Sequence, residues 1–443
     1  MKKAKILIVA LMLGACCSVQ AQSNDNDEIT VTNNKGEKEV IDLPEALTFE
    51  YDSLLSVYNA KTYLKENNES NVPDVNPVYD KETYKERLSR IPTVIEMPYN
   101  DVVQKLIDRY SGRLRRSVSL MLGAQNFYMP IFEEALESYG LPLELKYLPV
   151  IESALNPNAV SRVGATGLWQ FMLATGKQYG LEVNSLVDER RDPVKSSYAA
   201  AHYLSDLYKI FGDWNLVIAA YNCGPQAISK AMHRAKGLTD YWDIYPYLPR
   251  ETRGYVPSFI AANYIMNYYC EHNITPMVAE LPARTDTVMV DRDVHFAQIA
   301  QVLNIDVDEI KSLNPQYRRN IVNGSSKPSA IRLPAMLTGA FIDKQDSIFS
   351  SNAGDYTMKR TEVEVNDDDV PQLGSSPKRS SRSSARSKKS KKNKSRGGKQ
   401  VTIRQGDTLS EIAARNHTTV SKLRKLNKIS GSSIRAGKKI KVK

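Results

Sequence analysis

The run PLELKYLPVIES, residues 142–153, decides how this chain folds. Leu145, Leu148 and Glu152 recur at the intervals that place side chains on one face of a helix. Glu152 thus shares its face with leucines. A carboxyl among apolar neighbours is disfavoured in its ionised form, so its proton affinity rises toward neutrality. A general acid for a glycosidic oxygen needs that property. A buried glutamate paired with an arginine such as Arg253 would give the same pattern with no chemistry attached. Pro149 removes one backbone donor and is expected to kink the segment.

Outward from this run the text stays helical, from Pro98 to about Asn273. Val102, Val103, Leu106 and Tyr110 follow helical spacing, as do Ile131, Phe132, Ala135, Leu136 and Tyr139, with Glu133, Glu134 and Glu137 as a solvated face. Asp192-Pro193 reads as an N-cap with proline at the first helical position, opening a helix through Tyr208 that Gly212 closes. Asp213 caps the next helix, which stops at Cys223-Gly224-Pro225. Roughly 175 residues of this texture can bury a proper core.

Three more short motifs fall inside the helical region. In GATGLWQF, residues 164–171, Gly164 and Gly167 favour a turn whose backbone can approach a ligand closely. Trp169 or Phe171 can offer a platform to a sugar ring there, and Gln170 can bond its acetamido or hydroxyl groups; a tight turn with core aromatics is the plainer alternative. Ala220-Tyr221-Asn222 precedes the Cys223-Gly224-Pro225 stop, and Glu251-Thr252-Arg253-Gly254-Tyr255-Val256 follows. Taken in order, Glu-Ser, Gly-Leu-x-Gln, Ala-Tyr-Asn and Glu-Thr-x-x-Tyr-Val resemble the lytic transglycosylases of glycoside hydrolase family 23. The likeness covers about Ile91 to Asn273 and implies an α-helical, lysozyme-like domain that cleaves the β-1,4 bond between N-acetylmuramic acid and N-acetylglucosamine. By motif position it implies Glu152 as acid and base, with Ser153 its neighbour in the cleft. Gln170, Tyr221 and Asn222 would bind the sugar, with Gly167, Leu168 and Trp169 in the same substrate loop, and Tyr255 would orient Glu152. Trp169 departs from the methionine common at that position. No metal or cofactor is implied. A lysozyme-like muramidase that releases a reducing end, or a non-catalytic wall-binding scaffold, are the competing readings.

The C-terminal part holds a repeat. Val290, Phe296, Ile299, Ala300, Val307, Ile310, Leu313 and Asn314 recur at a constant offset as Ile403, Leu409, Ile412, Ala413, Val420, Leu423, Leu426 and Asn427. Each copy opens and closes β-like around two short amphipathic helices. In the second, Thr408 and Glu411 have capping-box spacing. Residues 400–443 resemble the LysM module, through Val401-Thr402-Ile403-Arg404-Gln405-Gly406-Asp407-Thr408-Leu409 and Leu426-Asn427. That resemblance implies a βααβ unit binding N-acetylglucosamine-containing glycans through Gly406, Asp407, Thr408 and Asn427. The first copy has Asp293-Val294-His295 in place of Gly406-Asp407-Thr408, so a structural role competes with sugar binding there.

At the N-terminus, Lys2, Lys3 and Lys5 precede an apolar run from Ile6 to Gly14, too short to span a bilayer and ordered like a secretory signal. Cleavage after Ala21 competes with a lipobox, Leu13-Gly14-Ala15-Cys16, which would leave a lipid anchor on Cys16. The formal net charge is +10, and eleven Lys or Arg with no acid lie between Lys378 and Lys399. The basic balance therefore belongs to a solvated segment facing anionic envelope polymers and not to a nucleic-acid-binding domain. Cys223 and Cys270, the cysteines outside the signal region, make no disulfide framework and no zinc spacing. The expected class is mainly α, a lysozyme-like helical catalytic domain followed by small βααβ LysM-type modules. The expected order is a signal peptide at 1–21, a polar spacer at 22–90 and the catalytic domain at 91–280. A degenerate LysM-like module follows at 285–335, then a disordered acidic and basic linker at 336–399, then LysM at 400–443. The expected partner is the peptidoglycan glycan strand, and the expected place is the bacterial cell envelope.

Overall fold

A computed structural model describes residues 29–32, 36–48, 64–65, 73, 75–279, 281–282, 284–352, 354, 400–402, 412–413, 416, 418, 420–427 and 439–442. It divides into a body, residues 1–375, and a C-terminal unit, residues 376–443.

Helices build most of the body: α1 (Lys81–Arg90), α2 (Asp101–Ser111), α3 (Arg115–Ser138), α4 (Leu148–Ser153), α5 (Leu173–Gln178), α6 (Pro193–Phe211), α7 (Trp214–Cys223), α8 (Pro225–Arg234), α9 (Tyr241–Ile244) and α10 (Arg250–Asn267). Local signals set their ends. The Asn100 side chain accepts from the amides of Val102 and Val103 at 3.0 Å and starts α2. Asp192 does the same for α6 through Val194 and Lys195, and Asp213 caps α7 through Leu216 at 2.8 Å. α10 lies at the centre: nearly every residue from Thr252 to Met266 is buried, against α2, α4 and α7. Pro149 does not kink a long helix. Leu143–Tyr147 form a 3-10 turn and α4 starts at Leu148, so the proline sits in a first turn, where its missing donor costs nothing.

The polar spacer expected at 22–90 is corrected in two places. Strands β1 (Thr30–Thr32) and β2 (Lys38–Val40) form an antiparallel hairpin, and a strap follows through the 3-10 turn Glu45–Leu47. Ile29, Val31, Ile41, Ala46 and Leu47 are buried in the main core. Arg253 donates to Glu39 at 2.9 Å, Arg250 to the Val40 carbonyl at 2.8 Å and Arg109 to the Leu47 carbonyl at 2.9 Å. At Gly254 a Cβ would stand 2.6 Å from the Asp42 carbonyl, so the strap needs a glycine beneath it. Helix α1, capped by Asp80 and burying Tyr84 and Leu88, also belongs to the folded body. The signal segment 1–21 lies outside the described residues.

Beyond α10, strand β3 (Leu64–Lys65) pairs with β4 (Val278–Ala279), and the first repeat copy follows. In it β5 (Thr285–Val290) pairs antiparallel with β8 (Ser329–Pro334), and β6 (Asp293–His295) with β7 (Ile321–Asn323), around α11 (Phe296–Leu303) and α12 (Val307–Leu313). His295, which occupies the place of Thr408, caps α11: its ring accepts from Ala297, while Gln298 accepts from the His295 amide. Two further helices, α13 (Ala335–Asp343) and α14 (Gln345–Ser350), bury Phe341 and Ile348 in the same core. The linker therefore does not begin at residue 336, because these apolar side chains complete the module. In the C-terminal unit β9 (Gln400–Thr402) pairs with β10 (Lys439–Lys441), and α15 (Val420–Asn427) supplies Leu423 to a core with Ile412, Ala413, Ile440 and Val442.

The two copies share one internal clamp. The Asn314 amide donates to the carbonyls of Ile310 and Arg332, at 2.8 and 2.7 Å, and accepts from the Arg332 amide at 2.8 Å. Asn427 repeats this with Leu423 and Lys441, at 2.9, 2.8 and 2.7 Å. The repeat conserves a helix-to-strand tie. Among the described residues no helix is long and apolar enough to cross a membrane.

Candidate active site

Glu152 sits at the end of α4, partly exposed on the floor of a cleft of about 390 Å³. The lining includes Gln170, Tyr203, Tyr221, Asn222 and Tyr255, which brings the four sequence motifs to one place. The Tyr255 hydroxyl, itself buried, donates to Glu152 Oε1. The surrounding protein pushes the carboxyl up to about 7; burial is the larger cause, and the Tyr255 bond pulls the other way. Burial also holds the Tyr255 and Tyr221 phenols well above their ordinary value, with Glu152 adding to both. The result is a carboxyl able to carry a proton at neutral pH and open to a ligand.

The remaining motif residues divide into lining and support. Tyr221 donates to the Trp169 carbonyl at 2.8 Å, and Thr252 donates to the Asn222 side chain at 3.0 Å. Gln170 lies in the left-handed region at φ 48°, its amide donating to the Gly167 carbonyl at 2.8 Å. Such a strained residue persists only where its surroundings over-determine it. Here they do. Gly167 has φ +89°, and a Cβ there would stand 1.8 Å from the Arg190 carbonyl. Buried Arg190 grips Asp188 through two bonds of 2.9 Å and donates to the carbonyls of Gly164 and Phe171 at 3.2 Å.

Three expected substrate contacts are corrected. Ser153 is fully buried and donates to the Leu168 carbonyl at 2.9 Å, tying the end of α4 to the loop. Leu168 is buried in the core. Trp169 is 0 % exposed, edge-on to Phe132, with its indole donating to Ser197 at 2.9 Å, so it offers no face to a sugar. The tight loop turns Leu168 and Trp169 inward and leaves Ala165, Gln170 and Phe171 lining the cleft. In the C-terminal unit Asn427 is engaged by its clamp, which leaves its amide little capacity for a glycan; Gly406, Asp407 and Thr408 lie outside the described residues.

Sequence reasoning missed Tyr203, whose ring lies 5.4 Å from that of Tyr221, and Leu43, Pro44 and Glu45 of the strap, which line the cleft beside Glu152. No local pattern marks them, since each is brought in by tertiary packing. Further carboxylates also border the cleft: Glu45, which Arg162 holds at 3.0 Å, and Glu251, exposed in the first turn of α10. By contrast, Asp188 is paired with Arg190, and Asp192 and Asp213 are spent on helix caps. A larger cavity of about 730 Å³ lies beside α6, but its carboxylates are engaged, Glu189 by Lys195 and Glu182 by Asn184 and Lys327.

The chain matches three family models: Transglycosylase SLT domain over residues 129–243; Lytic transglycosylase MltD, LysM-like domain over 284–350; and LysM domain over 401–443. It is 28% identical to membrane-bound lytic murein transglycosylase D of Escherichia coli K12 over 350 residues, covering 78% of this chain and 70% of that one. To the soluble lytic murein transglycosylase of the same strain it is 32% identical over 153 residues, 33% of this chain and 23% of the other. Among solved structures, the 70 kDa soluble lytic transglycosylase from Escherichia coli aligns with 21% identity and a TM-score of 0.31, covering 54% of this chain and 40% of that one.

Proposed function

We infer that this chain, which carries a transglycosylase SLT domain followed by an MltD-type LysM-like domain and a LysM domain, is a lytic murein transglycosylase that cleaves the glycan strands of peptidoglycan. One observation carries the chemistry: a carboxyl pushed up to about 7 stands in a sugar-sized cleft with a tyrosine hydroxyl orienting it.

In the proposed reaction Glu152 gives its proton to the oxygen leaving C1 of N-acetylmuramic acid as the β-1,4 bond to N-acetylglucosamine breaks. The muramoyl acetamido carbonyl stabilises C1 in passing. The ionised Glu152, its charge met by the Tyr255 hydroxyl, takes the proton of the muramoyl C6 hydroxyl while that oxygen bonds to C1. One proton leaves Glu152 and one returns, no water enters, and the product ends in 1,6-anhydromuramic acid. Ordinary glycosidases set two carboxylates across the bond. Here the substrate's own hydroxyl replaces the attacking water. Gln170, Tyr221 and Asn222 are proposed to hold the sugar.

Mass analysis of soluble fragments from digested sacculi tests the reaction. Fragments lighter than hydrolytic ones by one water and resistant to borohydride are expected; reducible muramic acid ends as the main product favour a muramidase. Glu152→Gln keeps the shape and loses the transferable proton, so turnover should fall by about a hundredfold or more with glycan binding retained. Near wild-type release by that variant assigns the acid to another group. The basic start and apolar run of the N-terminus support export to the envelope, with a lipid on Cys16 as one form of the mature chain.

A further inference from the structure

The strap Asp42–Thr48 precedes every residue matched to the transglycosylase domain, yet it enters the substrate cleft. Its anchors are on the helical side. Ile41, Ala46 and Leu47 are buried in the main core, Arg109 holds the Leu47 carbonyl, and the turn Glu45–Leu47 packs on α4, the helix of Glu152. The irregular segment between α4 and α5 lines the same cleft. There Ser161–Gly164 form a tight turn, closed by the Gly164 amide on the Ser161 carbonyl at 3.0 Å, with Ser161, Val163 and Ala165 lining the cavity. At its tip the Arg162 guanidinium donates to Glu45 Oε1 at 3.0 Å, and the Arg162 amide reaches Oε2 at 3.4 Å. Strap and turn are far apart in sequence, line the same cavity and touch each other through Glu45 and Arg162, so the groove is bridged where they meet.

We propose that Leu43, Pro44 and Glu45, latched to Arg162, form a closed end of the glycan cleft and restrict cleavage to bonds near strand ends. A strand lying in the groove cannot continue past the strap while the Glu45 side chain is latched to Arg162. The occupant is therefore a terminal sugar of the strand, whose hydroxyls meet the Glu45 carboxylate and the Leu43–Pro44 apolar edge. Pro44 restricts the strap's backbone, and the buried Ala46–Leu47 pair prevents it from swinging away. The proposal rests on the lytic-transglycosylase reading and adds to it the choice of bond.

The test uses the full chain on long, peptide-free glycan strands, sampled while few bonds have been cut. The number of new ends formed reports on lytic activity, and their length distribution reports on the strap. Wild type should release short anhydro fragments from the start, with mid-length intermediates appearing late. The variant Leu43→Gly/Pro44→Gly/Glu45→Gly keeps the buried anchors and should raise the early ratio of mid-length to short products at least fivefold. Glu45→Arg, which repels Arg162, should move the ratio the same way. The exchanged pair Glu45→Arg/Arg162→Glu should bring it back toward wild type. Early mid-length products from wild type overturn the proposal. So does an unchanged ratio in a folded Glu45→Arg protein that cuts at wild-type rate.

Discussion

Glu152 is held protonated by its surroundings and not by a partner, which fixes the sign of two pH effects. Turnover needs the acid form, so kcat should fall as pH rises through about 7. Stability follows the same proton. A carboxyl whose folded pKa lies near 7, above its ordinary 4.5, binds its proton more tightly in the folded state. Its contribution is full at low pH and lost as pH rises through about 7. Glu152→Gln escapes that loss, so it should melt above wild type at pH 8 by about 2 kcal/mol, after allowance for the carboxyl's partial exposure, and converge with it at pH 5. Thermal melts at the two pH values check this. Trp169 gives a contrasting case. Trp169→Phe removes a buried hydrogen bond to Ser197 and should cost about 1–2 kcal/mol of stability. KM for soluble glycan should stay within about twofold, because the indole faces the core; a large rise in KM would restore it to the sugar site.

At the scale of elements, the loop Gly164–Phe171 owes its shape to a neighbour that is itself shared. The segment 182–192 turns Arg190 toward that loop and turns Leu186 and Val187 into the core of the LysM-like module. Arg318 and Asp188 stitch the junction: the Arg318 amide donates to the Leu186 carbonyl at 2.8 Å, and the Asp188 amide to the Gln316 carbonyl at 2.9 Å. Gly167→Ala forces a Cβ against the Arg190 carbonyl at a left-handed φ. It should cost about 3 kcal/mol or more and abolish activity, read by melting and by dye release from sacculi. What was legible in the sequence at this scale was local. Asp192-Pro193, Gly212 and Asp213 announce helix ends because a cap is made by residues a few positions apart. The inward turn of Trp169 was not legible, since an aromatic beside two glycines reads alike whether it faces cleft or core. Nor was the burial of Ile29, Val31, Ile41, Ala46 and Leu47, because the strap's partners Arg109, Arg250 and Arg253 lie far along the chain.

For the whole molecule, the proposed function gives the body and the C-terminal unit different tasks. Deleting Gln400–Lys443 should weaken retention on insoluble peptidoglycan while leaving cleavage of short soluble fragments nearly unchanged, because the module raises local concentration and the cleft lies wholly in the body. Pull-down on sacculi alongside a soluble-fragment assay checks both halves. The helical body and the doubled module were legible because periodicity and a constant offset are whole-chain signals. The extension of the first module through Ile348 was hidden, since α13 and α14 lie past the stretch matched between the copies, which ends at Asn314 and Asn427. The docked strap also sets a leash. If the mature chain keeps a lipid on Cys16, only some thirteen residues join the bilayer to Ile29, where the hairpin is already fastened to the catalytic body. Stretched straight, that lead spans roughly 45 Å. Between residue 354 and residue 400 the sequence counts 45 residues, whose contour length is at most roughly 150 Å. In that lipid-anchored case the length of this first lead, more than any side chain, would decide which stratum of the wall is trimmed.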